Sequence, residues 1–159
     1  MRSYQVFAQM TPERAAQVMA VLVEKSPGVY TQAVAATSTA MNARPRFLMR
    51  QPADKRANMV RRTLARVRVN ELAEEVLAAY FLEGRKELLT EWLDLVGLEH
   101  DEGILESNNP PPPPGPQLGE AVKRFLAGDG AEDRELLLRA FAAQSAIDWP
   151  DLAASFEDP

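Results

Sequence analysis

The chain has 159 residues, with 23 acids against 18 Lys and Arg, a net charge of −5. It holds no cysteine and one histidine, which excludes disulfides, thiolate catalysis, cysteine-ligated zinc and any multi-histidine metal site within one chain. Residues 1–10 lack the apolar run of a signal peptide, and no stretch of ~18 apolar residues suits a membrane span. The expectation is therefore a cytoplasmic protein without membrane contact.

Ala, Leu, Glu and Arg dominate, and β-branched residues never run in alternation. This predicts an all-α fold, a compact bundle of about seven to nine short helices. Thr11-Pro12-Glu13 carries a helix start: a hydroxyl cap, proline at the first helical position and an acid in the first turn. Ala15, Met19, Leu22 and Val23 form the inward stripe. A second helix follows Ser26-Pro27, with Ala33, Val34, Thr37 and Met41 at helical spacing. Its small residues Ala33, Ala35, Ala36 and Ala40 permit close helix–helix approach.

Pro45 to Gln51 reads as a short segment anchored by Phe47 and Leu48. A basic helix from about Ala53 to Arg68 comes next, with Val60, Leu64 and Val67 inward and Lys55, Arg62 and Arg66 opposite. Two organising helices follow, Asn70 to Leu82 and Arg85 to Gly97. The second is two-faced, with Leu88, Leu89, Trp92, Leu93, Leu95 and Val96 against Lys86, Glu87, Thr90, Glu91 and Asp94. Gly97 closes it, since glycine accepts the left-handed conformation.

Residues 98–109 form an acidic loop, and 110–116, PPPPPGP, must be extended because proline lacks an amide donor. A helix over Leu118 to Leu126 follows. Asp129-Gly130-Ala131-Glu132 resembles a capping box before a helix to about Ala143. A short last helix starts at Asp148-Trp149-Pro150. The implied organisation is an N-terminal helical bundle over 1–109, a Pro-rich connector over 110–117, and C-terminal helices over 118–159 packed on the same bundle as one domain. Val76-Leu77 with Lys86-Glu87-Leu88-Leu89 is matched by Phe125-Leu126 with Arg134-Glu135-Leu136-Leu137, which leaves a duplicated hairpin open.

Charge is sharply divided. Residues 44–68 carry nine cations against the single acid Asp54, for +8; residues 69–106 carry eleven acids against Arg85 and Lys86, for −9. The candidate partner-binding residues are Arg50, Lys55, Arg61, Arg62, Arg66 and Arg68, because an unneutralised basic face steers anionic surfaces toward it. A protein partner or a second copy fits best. The alternative is nucleic acid gripped by segment 44–68, although only Phe47 is available there for base stacking.

No catalytic motif frames a nucleophile near His100, and Gly128 and Gly130 lack the phosphate-loop spacing. The acids Glu99, Asp101, Glu102 and Glu106 do not have the EF-hand pattern, so whether they bind a divalent cation stays open. The expectation is a non-enzymatic interaction module with no catalytic residue, no metal site and no cofactor.

Overall fold

A computed structural model describes residues 1–157. It is all-α, with ten α-helices and one two-stranded hairpin among the described residues. No helix there is long and apolar enough to cross a membrane. The chain divides into two compact units: an amino-terminal unit, Ser3–Gly84, and a carboxy-terminal unit, Arg85–Pro159 with Met1–Arg2.

The amino-terminal unit holds α1 (Ser3–Gln9), α2 (Pro12–Lys25), α3 (Pro27–Met41), α4 (Pro45–Met49), α5 (Ala53–Leu64) and α6 (Asn70–Ala79). α2 starts as its sequence predicts: the Thr11 hydroxyl accepts from the Arg14 amide at 3.1 Å, with Pro12 just inside. Val18 and Leu22 of α2, Val60 and Leu64 of α5, Val76 and Leu77 of α6, and Phe7 of α1 are buried together with Tyr80 and Phe81. α1 is an addition to the helices predicted from periodicity. It is held by Val6 and Phe7 in the core, and the Asn70 side chain caps its start by accepting from the Tyr4 amide at 3.0 Å.

α6 gives way at Tyr80–Gly84 to a π-helical turn, so the predicted single helix to Leu82 changes hydrogen-bonding register at Tyr80. A Cβ at Gly84 would overlap the Val21 side chain, so the turn needs glycine for this close approach.

The carboxy-terminal unit holds α7 (Lys86–Leu95), β1 (His100–Asp101), β2 (Ile104–Leu105), α8 (Gly115–Leu126), α9 (Ala131–Ala143) and α10 (Pro150–Ala154). Its core is a chain of rings. Trp92 of α7 lies 5.5 Å from Phe125 of α8 and 5.8 Å from Phe141 of α9, and Phe141 lies 5.1 Å from Trp149. The proline run therefore lies inside this unit, with α7 before it packed on α8 and α9 after it. The buried Trp149 indole donates to the Pro110 carbonyl at 2.8 Å and ties the run to that core. The chain passes from one unit to the other at Gly84–Arg85, whereas composition marks 110–117 as the connector.

Gly97 closes α7 as expected, at φ 72°, and the Leu98 amide donates to the Leu93 carbonyl at 3.0 Å. Two other expectations change, and the open question of a duplicated hairpin is answered. The acidic loop contains an antiparallel hairpin pairing His100 with Leu105 and Asp101 with Ile104. Its turn has positive φ at both Glu102 and Gly103, the backbone of a two-residue hairpin turn that matches strand twist. The capping box before α9 does not form: Gly130, at φ 81°, holds the cap position with no side-chain bond. α6 and α7 fall in different units while α8 and α9 share one, so the two matched sequence stretches are not equivalent hairpins.

Candidate functional site

The basic segment occupies α4, α5 and the 3₁₀ turn Val67–Val69 that follows. Two sequence expectations fail here. α5 stops at Leu64 instead of continuing to Arg68, because Ala65 ends it and Arg66 is extended at φ −92°, ψ 137°. Arg66 thus lies off the outer helical face that periodicity predicts for it, Arg68 lies past the end of the helix in the 3₁₀ turn, and Val67 is exposed instead of inward. Only Lys55 and Arg62, seven apart on α5, share that face, separated by ~10 Å along the axis. Phe47, expected as an anchor of α4, is 47% exposed, and Leu48 alone is buried.

Of the six candidate cations, Arg50, Lys55, Arg62, Arg66 and Arg68 are exposed. Arg61 differs. It is half-buried, and its guanidinium donates to the Asn58 side chain at 2.9 Å and the Phe7 carbonyl at 3.3 Å, so it braces α5 against α1. Arg56 plays the same kind of part, donating to the Tyr30 hydroxyl at 2.7 Å, the Met49 carbonyl at 3.3 Å and the Gln51 carbonyl at 3.0 Å. The acceptors of both are neutral. Among the described residues, none of the nine cations of 44–68 joins a salt bridge.

Two groups result, one at each end of α5. Arg44, Arg46, Arg50 and Lys55 lie at its start and on α4; Arg62, Arg66 and Arg68 lie at its end. Beside the first group is a groove of about 300 Å³ between α3 and α4. Its walls are Tyr30, Thr31, Val34 and Ala35 on α3, and Pro45 and Met49 on α4. Periodicity shows which residues of α3 turn inward, but not that α4 leaves part of α3 uncovered, so the sequence holds no direct signal for this groove.

The acidic side also differs from its expectation. The helical repeat puts Glu87, Glu91 and Asp94 on one outer face of α7, yet two of them are engaged. Glu91 accepts from Arg134 at 2.9 Å, and Asp94 accepts from His100 Nε2 at 2.8 Å. His100 Nδ1 accepts from the Gly103 amide at 3.1 Å, so both ring nitrogens are occupied and neither is left to activate a hydroxyl or bind a metal. Among the described residues no three His, Asp or Glu side chains converge as a metal cage would require.

Arg134 is the residue that composition hides. It is 7% exposed, and its guanidinium donates to the Asp129 carbonyl at 2.7 Å and the Phe125 carbonyl at 2.9 Å while lying 4.8 Å over the Phe125 ring. It caps the end of α8 from α9, and Gly128 leaves room for it. In comparisons with known proteins, no family model, no curated protein and no solved structure matches this chain.

Proposed function

We propose that the chain is a non-enzymatic, cytoplasmic interaction module that binds a protein partner, or a second copy of itself, through the basic segment 44–68. The observation that supports this is the state of its cations: Arg50, Lys55, Arg62, Arg66 and Arg68 are exposed, and none is paired with an acid among the described residues. Unpaired surface charge contributes little to folding, but it raises association rates with an oppositely charged surface and disfavours wrong partners. Arg61 belongs to the scaffold of this surface because it is half-buried and two of its donors bond Asn58 and the Phe7 carbonyl.

The test compares wild type with Arg62→Glu/Arg66→Glu. Both are immobilised and exposed to extract of the source cells, and both are sedimented alone over a range of concentrations. The expected result is a species that wild type retains and the variant does not, or self-association that the variant abolishes, with equal melting temperatures. Equal retention by both, or a variant that unfolds, defeats the reading.

Nucleic-acid binding draws on the same cations and is the second reading. Duplex binding that persists at ~150 mM salt and disappears in the variant would establish it, and no binding at ~50 mM would end it.

A further inference from the structure

We propose that the groove between α3 and α4 is the seat of an acidic amphipathic helix contributed by a partner protein. This inference rests on the reading of 44–68 as a binding segment and gives that segment an apolar centre.

The walls of the groove are short of charge. From Ser26 to Ala53 the sequence has no Asp or Glu, and α3 has no charged residue of either sign from Pro27 to Met41. A 15-residue helix that leaves Thr31, Gln32, Ala35, Thr39 and Ala40 exposed without one charge is unusual for a merely solvated face. Interface cores show this signature: depletion of charge, with aromatic residues, Met and Arg enriched. Here Tyr30 and Met49 line the groove, and Phe47 and Met41 stand exposed on the same two helices.

The charges that do occur nearby are all positive. Arg44 and Arg46 flank Pro45 in the chain, and Arg50 follows Met49, so each adjoins a wall residue. All three are exposed, and none has an ion pair among the described residues. An apolar groove whose wall residues Pro45 and Met49 adjoin three exposed arginines in the chain calls for apolar anchors accompanied by carboxylates.

The shape selects a helix. Tyr30 and Val34, and Thr31 and Ala35, form two neighbouring rows at a four-residue spacing, and Pro45 and Met49 form a third across the groove. An incoming helix sets its own four-residue rows between such ridges. Ala35 and Thr31 are small enough to admit it closely. The volume is at the lower bound for small-molecule pockets, and the lining has no convergent polar groups of the kind that orient such ligands. The two hydroxyls of these walls, on Tyr30 and Thr31, are engaged by Arg56 and the Pro27 carbonyl, so phosphate would find few donors inside the groove, which favours a protein over nucleic acid.

The groove is also pre-organised. Arg56 holds the Tyr30 hydroxyl on one wall while donating to the Met49 and Gln51 carbonyls at the end of the other. Fixing both walls before binding reduces the ordering cost of association.

The experiment presents the full chain to a displayed library of random peptides of ~16 residues, long enough for four helical turns. Enriched peptides are then measured by fluorescence anisotropy against wild type, Ala35→Glu and Arg46→Glu/Arg50→Glu, each checked by circular dichroism. The expected peptides are acidic, with apolar residues at three- and four-residue spacing, and weaken at least ~10-fold against both variants, about 1.4 kcal/mol.

Weakening by the arginine variant but not by Ala35→Glu overturns the groove and leaves the basic segment standing. Weakening by neither overturns both. No enrichment, or neutral or basic peptides, overturns the groove. Self-association of the protein alone that Ala35→Glu abolishes would assign the groove to a second copy and overturn the partner helix. Duplex DNA bound at ~150 mM salt with Ala35→Glu without effect would assign the arginines to phosphate and overturn it too.

Discussion

The two units of this chain treat charge in opposite ways. The amino-terminal unit has eleven cations and seven acids, for +4; the carboxy-terminal unit has seven cations and sixteen acids, for −9. The strongly charged unit nevertheless spends at least four of its seven cations internally: Arg85 on Asp133 at 2.8 Å, Lys86 on Glu102 at 3.3 Å, Arg134 on Glu91, and Arg139 on Glu135 at 3.0 Å. In segment 44–68 the two arginines that are used, Arg56 and Arg61, take neutral oxygens, and the remaining seven cations are exposed with no ion pair among the described residues. Net charge therefore does not locate a free charge; the supply of local acceptors does.

That contrast can be broken at its strongest point first. Trp92→Ala removes the ring that joins Phe125 to Phe141 in the carboxy-terminal unit and is expected to cost ~3–5 kcal/mol, read from urea unfolding. Arg134→Met keeps bulk but leaves the Phe125 and Asp129 carbonyls without this donor, at an expected ~1–3 kcal/mol. Gly128→Ala should cost a similar ~1–3 kcal/mol by crowding the same guanidinium, and the two changes should combine to less than their sum because they disrupt one arrangement. Additive costs would show that Gly128 acts independently of Arg134. At the small end, Arg62→Glu/Arg66→Glu should move stability by no more than about 0.5 kcal/mol, because neither guanidinium has a partner to lose among the described residues. A larger effect would remove the distinction between the units.

The helices are legible in the sequence where a repeat of 3.6 residues meets a clear boundary: Thr11-Pro12 at the start of α2, Gly97 at the end of α7, and the Val60 and Leu64 stripe of α5. The sequence is silent where tertiary partners decide. The early end of α5 breaks a pattern that Val67 would have continued. The hairpin is only two residues per strand, too short to show alternation, and Glu102-Gly103 is its one visible signal. Arg134 sits among charged neighbours like any solvated arginine, and its burial follows from the carbonyls that α8 leaves at its end. The free cations are legible as a cluster, but not which of them the fold has already taken: Arg61 reads as one of the open charges and is instead a brace between α5 and α1.

Hydrogen exchange at arginine Nε–H, followed by ¹⁵N-resolved NMR on the full chain, separates engaged from open guanidinium groups one residue at a time. Arg56, Arg61 and Arg134 should exchange slowly, since each donates its Nε–H within 2.9 Å of an acceptor. Arg50, Arg62, Arg66 and Arg68 should exchange as fast as free arginine. Protection at Arg62 or Arg66 matching that at Arg134 would mean those charges already have an internal partner, and the surface they are taken to offer would not exist.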